Sequence, residues 1–571
     1  MNRARDHFLR GLDRNGPCPC GSGNPYSKCH MSSDSGSRNE RVNSPMPASA
    51  VHQMQLAEAK ERLRQMQQGK GKPILSAEVR GHRFITIGSE VIHSKKFKTF
   101  HDFLFSYLPM KLGGDWGDQE LQKPLAERHP VLQWHHKLCE FERQHHPGDG
   151  EIATVPMTGA ISAFLRLSYS LYLLQHNVVL QERFLQRLRH QDQFYPAFYE
   201  TLVAGAFINA GFEIELERED DSTRSHCEFT ATSKKTGKRY SVEAKSRQPG
   251  KSNNNVRNQL HAALTKKADH ERIVFIELNV PAHSDTDISR RMEDAIQSVI
   301  NAQDTMTVDR QTAPPAYVMV TNHSWIHELD GVNGRRSLAV HGFKIHGFEF
   351  SPPAKTVGAI VREREDHRDI FDLITSLLND RGVPSTFDGD MPELAFAKER
   401  VIPLIIGERY DEDDFEGSAD PFTGVLEEAT VNPSEQAAIC IVRTDDGKRI
   451  IVKAPLTADE MLAYERFPDV FFGKHKPQRS FTSEQPAEIF EWLLSTYAQT
   501  PREGLLHLMA HWPNQEQLAA LPQPELARKY CISLTEAMLR RSQLATTREQ
   551  KPPGVTSGRS VNSGDAPPAL S

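Results

Sequence analysis

Apolar positions along this chain change spacing in blocks, and the order of the blocks predicts its architecture. Residues 51–68 are charged with interspersed Leu and Met. They predict a helix that stops at Gly69, Gly71 and Pro73. Residues 74–79 and 83–87 alternate as short pairing strands. Helices are expected over 99–109 and 131–143, and one or two more over 161–189. From 194 to about 322 the order is helix, three strand-like runs, helix, strand, helix, strand, which is the order of a mixed α/β domain. Further strands are expected at 337–350, 357–361 and 399–406, with a helix near 369–378. Residues 437–442 and 449–454 flank Asp445, Asp446 and Gly447 as a hairpin, after an acidic loop at 410–420. Helices return over 486–497, 503–510 and 524–541.

The fold class read from this order is α/β multidomain, since 571 residues exceed what one ordinary core holds. The expected parts are a cysteine-rich knuckle (1–31), a polar tether (32–50), a helical and mixed region (51–190) and a central α/β domain (191–325). A mixed β-rich region (326–480), a helical region (481–545) and a disordered Pro/Gly/Ser tail (546–571) follow. A net charge of -6 excludes a strongly basic chain, so any cationic surface must be local. The N-terminus has no signal-like apolar run. The apolar stretch 161–180 is broken by Arg166, Gln175, His176 and Asn177, so it predicts a buried helix and no membrane partner. Seven cysteines, an odd number, favour reduced thiols or metal ligands and a cytoplasmic location.

Four of those ligand types crowd the first thirty residues. Pro17-Cys18-Pro19-Cys20-Gly21-Ser22-Gly23, then Tyr26, Lys28, Cys29 and His30, place three thiols and one imidazole within thirteen residues. Structural zinc takes a tetrahedron of such ligands, and a segment this short has no other source of folding energy. With Cys18, Cys20, Cys29 and His30 all bound, no position is left for water, so the zinc is expected to be structural. The string resembles the SEC-C motif, the zinc-binding tail known from a bacterial secretion ATPase. That resemblance implies docking on a protein partner or the ribosome. Asn24, Pro25 and Ser27 stand where the family usually has basic residues. No G-x-x-x-x-G-K-[ST] phosphate loop occurs in the chain.

A second constellation lies in the central domain. Glu200 is the only charge on the predicted helix 194–211, and its neighbours Val203, Ala204 and Phe207 are apolar. Burying such a carboxylate is costly without a cation beside it. The strands around Ser233-Lys234-Lys235-Thr236-Gly237-Lys238 form a hairpin. Centring it between Lys235 and Thr236 sets Glu228 opposite Glu243 on one face, with Lys245 two positions further along. Two facing carboxylates make sense around a divalent cation.

Val242-Glu243-Ala244-Lys245, with Glu228 and Glu200 before it, resembles the PD-(D/E)XK nuclease superfamily in its helix, three strands, helix, strand order. The resemblance implies that Glu228 and Glu243 hold magnesium, that Glu200 completes the metal site, and that Lys245 positions or activates the attacking water. Glu228 stands where the superfamily usually has Asp, and Gln259 matches a glutamine of some branches. Between Lys234 and Arg272 eleven Lys and Arg face three acids, a local excess that suits a nucleic-acid backbone. His135, His136 and Cys139 share helical spacing and read as an amphipathic helix, while Cys227, Cys440 and Cys531 read as small core residues. The expected function is magnesium-dependent hydrolysis of phosphodiester bonds in DNA or RNA. The competing reading is a non-enzymatic adaptor working through the zinc knuckle.

Overall fold

The computed structural model describes residues 47–145, 155–216, 226–246, 255–281, 284–332, 336–348, 356–379, 382–397, 403–416, 421–475 and 485–549, together with Pro25, Lys28 and Ile152. The chain divides into two compact units, Met1–Glu58 and Ala59–Ser571. In the first, the Lys28 N–H donates to the Pro25 carbonyl at 2.9 Å. Helix α1, Ala48–Gln68, begins there. The polar tether and the C-terminal tail expected from the sequence lie outside the described residues, apart from the start of α1 and residues 546–549, which are helical and not part of a disordered tail.

The second unit is a mixed α/β structure. A three-stranded antiparallel sheet comes first: β1 (Ser76–Val79), β2 (His82–Ile87) and β3 (Glu90–Ser94), ordered β1-β2-β3. Helices α2 (Phe100–Leu112), α3 (Gly114–Leu121), α4 (Pro130–His145), α5 (Gly159–Leu173) and α6 (Val178–Leu188) follow. The 161–189 pattern thus resolves into two helices. Asn177 caps the second by accepting from the Leu180 N–H.

Helix α7 (Phe194–Ala210) ends at Gly211, whose φ of 94° lets the chain reverse directly into a strand. The strands are β4 (Phe212–Leu216), β5 (Phe229–Ser233) and β6 (Arg239–Lys245). After helix α8 (Val256–Leu264) come β7 (Glu271–Glu277), α9 (Asp285–Ala302), the two-residue pair β8 (Thr307–Val308) and β9 (Gln311–Thr312), then β10 (Ala316–His323) and β11 (Arg336–Phe343). β4 to β7, β10 and β11 form one six-stranded sheet in the order β11-β10-β7-β6-β5-β4. β6, β7 and β10 run parallel, and the other pairs are antiparallel.

Strand alternation explains the layers. Ile273 and Phe275 of β7 join Phe229, Val242, Tyr317 and Met319 in a core filled by α2, α4, α5, α6 and α7. Val274 and Ile276 join Val318 and Val320 in a second core beneath α8 and α9. A sheet covered on both faces needs such unbroken apolar runs. The first core extends from Ile74 to Phe387, so it draws on segments before and after the central domain.

Helices α10 (Val357–Asp366) and α11 (Arg368–Leu378) come next. The strand expected at 357–361 is therefore a helix. Thr356 caps it by accepting from the Ala359 N–H, and buried Val357 and Val361 sit four apart on one helical face. The short helix α12 (Pro392–Ala395) precedes a four-stranded meander, β12 (Arg409–Asp411), β13 (Thr423–Asn432), β14 (Ala437–Thr444) and β15 (Arg449–Pro455), with helix α13 (Ala458–Arg466). Positions 403–406 are described without a strand. Helices α14 (Pro486–Tyr497), α15 (Arg502–Leu508), α16 (Gln515–Ala520) and α17 (Gln523–Glu549) close the described chain. Among the described residues, no helix is long and apolar enough to cross a membrane.

Candidate metal and phosphate site

The β5–β6 pairing sets the candidate site. Phe229 faces Val242 and Ala231 faces Tyr240, which is the register expected from the turn at Lys235 and Thr236. One step beyond, the Glu228 N–H donates to the Val242 carbonyl at 3.0 Å, which brings Glu228 opposite Glu243. Since Val242 and Ala244 pack into the first core, alternation turns Glu243 and Lys245 to the other face.

Glu200 joins them from α7 through an arginine. Arg187, at the end of α6, grips both Glu200 oxygens; its Nη2 donates to Oε1 at 2.9 Å and its Nη1 to Oε2. The same Nη1 lies 3.8 Å from Glu228. Lys245 forms a close ion pair with Glu243 Oε1, and the Lys266 Nζ lies 3.8 Å from the same oxygen. Glu243 is 1% exposed, and its Oε2 has no hydrogen-bond partner. The cluster thus holds three acids and three bases, unevenly paired.

The electrostatics follow from that imbalance. Burial raises the Glu243 pKa to about 7 against the pull of Lys245, with the Glu228 charge adding to the rise. Burial and the Glu228 charge raise Glu200 to about 7, while Arg187 opposes. For Lys245, burial favours the neutral amine, but the charges of Glu243, Glu228 and Glu200 outweigh it and raise its pKa. Lys245 is therefore a fixed cation.

A hard divalent cation fits part of this arrangement. Magnesium is commonly held by one or two carboxylates, with water and substrate phosphate completing its shell. Glu228 and Glu243 supply that number, and Oε2 of Glu243 is an acceptor without a partner. Glu200 is engaged instead, its two oxygens held by Arg187. Among the described residues, no group of three or more His, Cys, Asp or Glu is gathered as metal ligands.

Arg187 and Lys266 are functional candidates that the sequence does not single out. A charge on an amphipathic helix such as α6, or in a connection such as the one after α8, carries no local signal. The local basic excess also changes character in three dimensions. Lys234 meets Glu213 (4.0 Å), Lys235 meets Asp372 (2.8 Å), Lys238 meets Glu271 (2.8 Å) and Arg239 meets Glu215 (3.6 Å). Arg247 and Lys251 lie outside the described residues. Gln259 is buried in α8.

A second buried polar group escapes the sequence reading as well. Glu277, at the end of β7, accepts from the Thr321 hydroxyl (2.6 Å) and the His323 N–H (2.8 Å), and lies 2.7 Å from His323 Nδ1. The Tyr199 hydroxyl lies 2.6 Å from Thr321 Oγ1. Burial works against the Glu277 charge, but His323 and these hydrogen bonds hold its pKa below the usual carboxylate range. A lone acid inside the apolar run Ile273 to Leu278 is a usable signal, of the kind that singles out Glu200. The adjoining cavity, about 80 Å³, has room for a few waters and none for a nucleotide.

The expected zinc ligands Cys18, Cys20, Cys29 and His30 lie outside the described residues. Cys139, Cys227, Cys440 and Cys531 are free thiols, the last three buried. No curated protein and no solved structure shows a significant match to the chain. Residues 14–32 match the family model of the SEC-C motif, which is associated with zinc binding. What the comparisons identify is therefore one segment, similar to the SEC-C motif, at the N-terminal end of an otherwise unmatched chain.

Proposed function

We propose that the chain is a metal-dependent nuclease carrying a zinc-binding knuckle. The observation that carries the reading is the meeting of Glu200, Glu228 and Glu243, far apart in sequence, with Arg187, Lys245 and Lys266 in one partly buried cluster. Glu228 and Glu243 would hold magnesium, which supplies Lewis acidity at a phosphate oxygen and lowers the pKa of water. Lys245, kept positive by its neighbours, orients the attacking water through a hydrogen bond and offsets charge on the scissile phosphate. A protonated ammonium does not serve as a base. Glu200 acts through Arg187, fixing a second cation beside Glu228 at the position where phosphate charge needs to be balanced. At the N-terminus, Cys18, Cys20, Cys29 and His30 would enclose a structural zinc.

The test is degradation of plasmid DNA and of RNA by the purified full chain in magnesium. Lys245→Ala and Glu243→Gln are each expected to lower the rate by about 10²-fold or more. The competing adaptor reading predicts equal and negligible degradation by all three proteins.

A further inference from the structure

The three-stranded sheet at the start of the second unit shows its two faces to different surroundings. Ile85 and Ile87 are buried and Ile92 packs against the same core. The register sets Val79 opposite His82, Phe84 between Ala77 and His93, and Thr86 opposite Val91, all on the other face. That face is not covered: Val79 is 53% and Val91 60% exposed. Its rings form a continuous group. Phe84 and His93 stack with centroids 4.9 Å apart and planes 29° apart, and His82 lies 5.4 Å from His93.

The surrounding charge is cationic and available. Residues 76–98 hold five Lys and Arg against two acids. Arg83 is engaged with Glu78 at 2.8 Å. Arg80, Lys95, Lys96 and Lys98 are exposed and have no ion-pair partner among the described residues. This reverses the sequence-level picture, in which the cationic surface is expected near β6, where most bases have acids beside them.

We propose that the outer face of the β1–β3 sheet binds single-stranded nucleic acid. Bases stack on the Phe84 and His93 rings, and phosphates meet Arg80 and the lysines that follow β3. Ring faces are open only to bases that are not already stacked in a duplex, so the partner is a single strand. Aromatic stacking with a cationic border gives affinity without demanding a sequence. The inference shares a nucleic-acid partner with the nuclease reading but requires no catalysis.

The experiment is fluorescence anisotropy of labelled oligothymidylate and oligouridylate, and of a duplex of equal length, with the full chain in magnesium-free buffer. Single strands are expected to bind at least about 10-fold tighter than duplex. Phe84→Leu, which keeps the apolar packing and removes the ring, is expected to weaken binding about 10-fold. The combined Lys95→Gln, Lys96→Gln, Lys98→Gln variant is expected to reduce the slope of log affinity against log salt by about 2, at about 0.7 for each phosphate that is no longer neutralised. The three lysines are exposed, so this variant reports even if Phe84→Leu disturbs the hairpin. The proposal is overturned if no strand binds, if duplex binds equally well, or if folded variants bind like the parent. A chain that binds here yet cuts nothing in magnesium fails the catalytic reading alone. A chain that cuts while its sheet variants bind normally fails this one alone.

Discussion

At the scale of single residues, Glu243 has the most to say about pH. Its pKa is raised on folding from an ordinary 4.5 to about 7, first by burial and then by the Glu228 charge. Between those values the folded state holds a proton that the unfolded state has released. Stability contributed at low pH is therefore lost as pH rises through this window. Glu243→Gln removes the ionisation and keeps the shape. The variant should gain stability relative to the parent as pH goes from 5 to 8, by roughly 1–3 kcal/mol, read as a rise in its thermal midpoint minus that of the parent. A difference, variant minus parent, that stays constant or falls with pH would contradict the raised pKa. The attraction of Lys245 and Lys266 acts on the ionised carboxylate and is already contained in the raised pKa. The neighbouring acid shows what a sequence can reveal of a site. Glu200 is conspicuous because a lone charge among Val203, Ala204 and Phe207 requires a partner. The partner's identity is not legible, since Arg187 resembles any other solvated charge until α6 and α7 are placed side by side.

At the scale of elements, the β5–β6 hairpin is legible because turn residues and strand period together fix a register. What holds that hairpin is not. Asp369, near the start of α11, is buried and accepts from three of its hydroxyls: Ser233 (2.7 Å), Thr236 (2.5 Å) and Tyr240 (3.1 Å). Hydrogen bonds to a charged acceptor contribute about 1.5–3 kcal/mol each, and donors left buried add a penalty. Asp369→Ala should therefore cost about 3 kcal/mol or more of stability in denaturant unfolding. It should also disturb the Glu228–Glu243 alignment, since that alignment is the far end of the same hairpin. A loss under about 0.5 kcal/mol, the range of ordinary surface changes, would mean the anchor is unimportant. Two elements escape a reading of the pattern for physical reasons. The run 357–361 is too short to separate period 2 from period 3.6, and only the buried pair Val357 and Val361 reveals the helix. Strand β13 is hidden because a register shift between Leu426 and Glu428 breaks its alternation.

At the scale of the whole molecule, sequence-local charge counting fails because its missing half is distant: Glu213, Glu215 and Asp372 answer bases counted between Lys234 and Arg272. The knuckle poses the opposite case, a segment whose chemistry is nearly all local. Residues 14–32, which match the SEC-C motif, are too few to bury a core, so under the zinc proposal metal ligation supplies the folding energy. The unit from Ala59 onward has cores assembled from its own described apolar residues. Zinc removal should therefore unfold the one without melting the other. Purified protein is expected to hold about one zinc per chain, the stoichiometry of a single closed site. The double variant Cys18→Ser, Cys29→Ser should hold none, with the main thermal transition unchanged. A main transition that falls along with the zinc content would show that the metal holds the larger unit together as well. Zinc that survives the double substitution would move the site away from these cysteines.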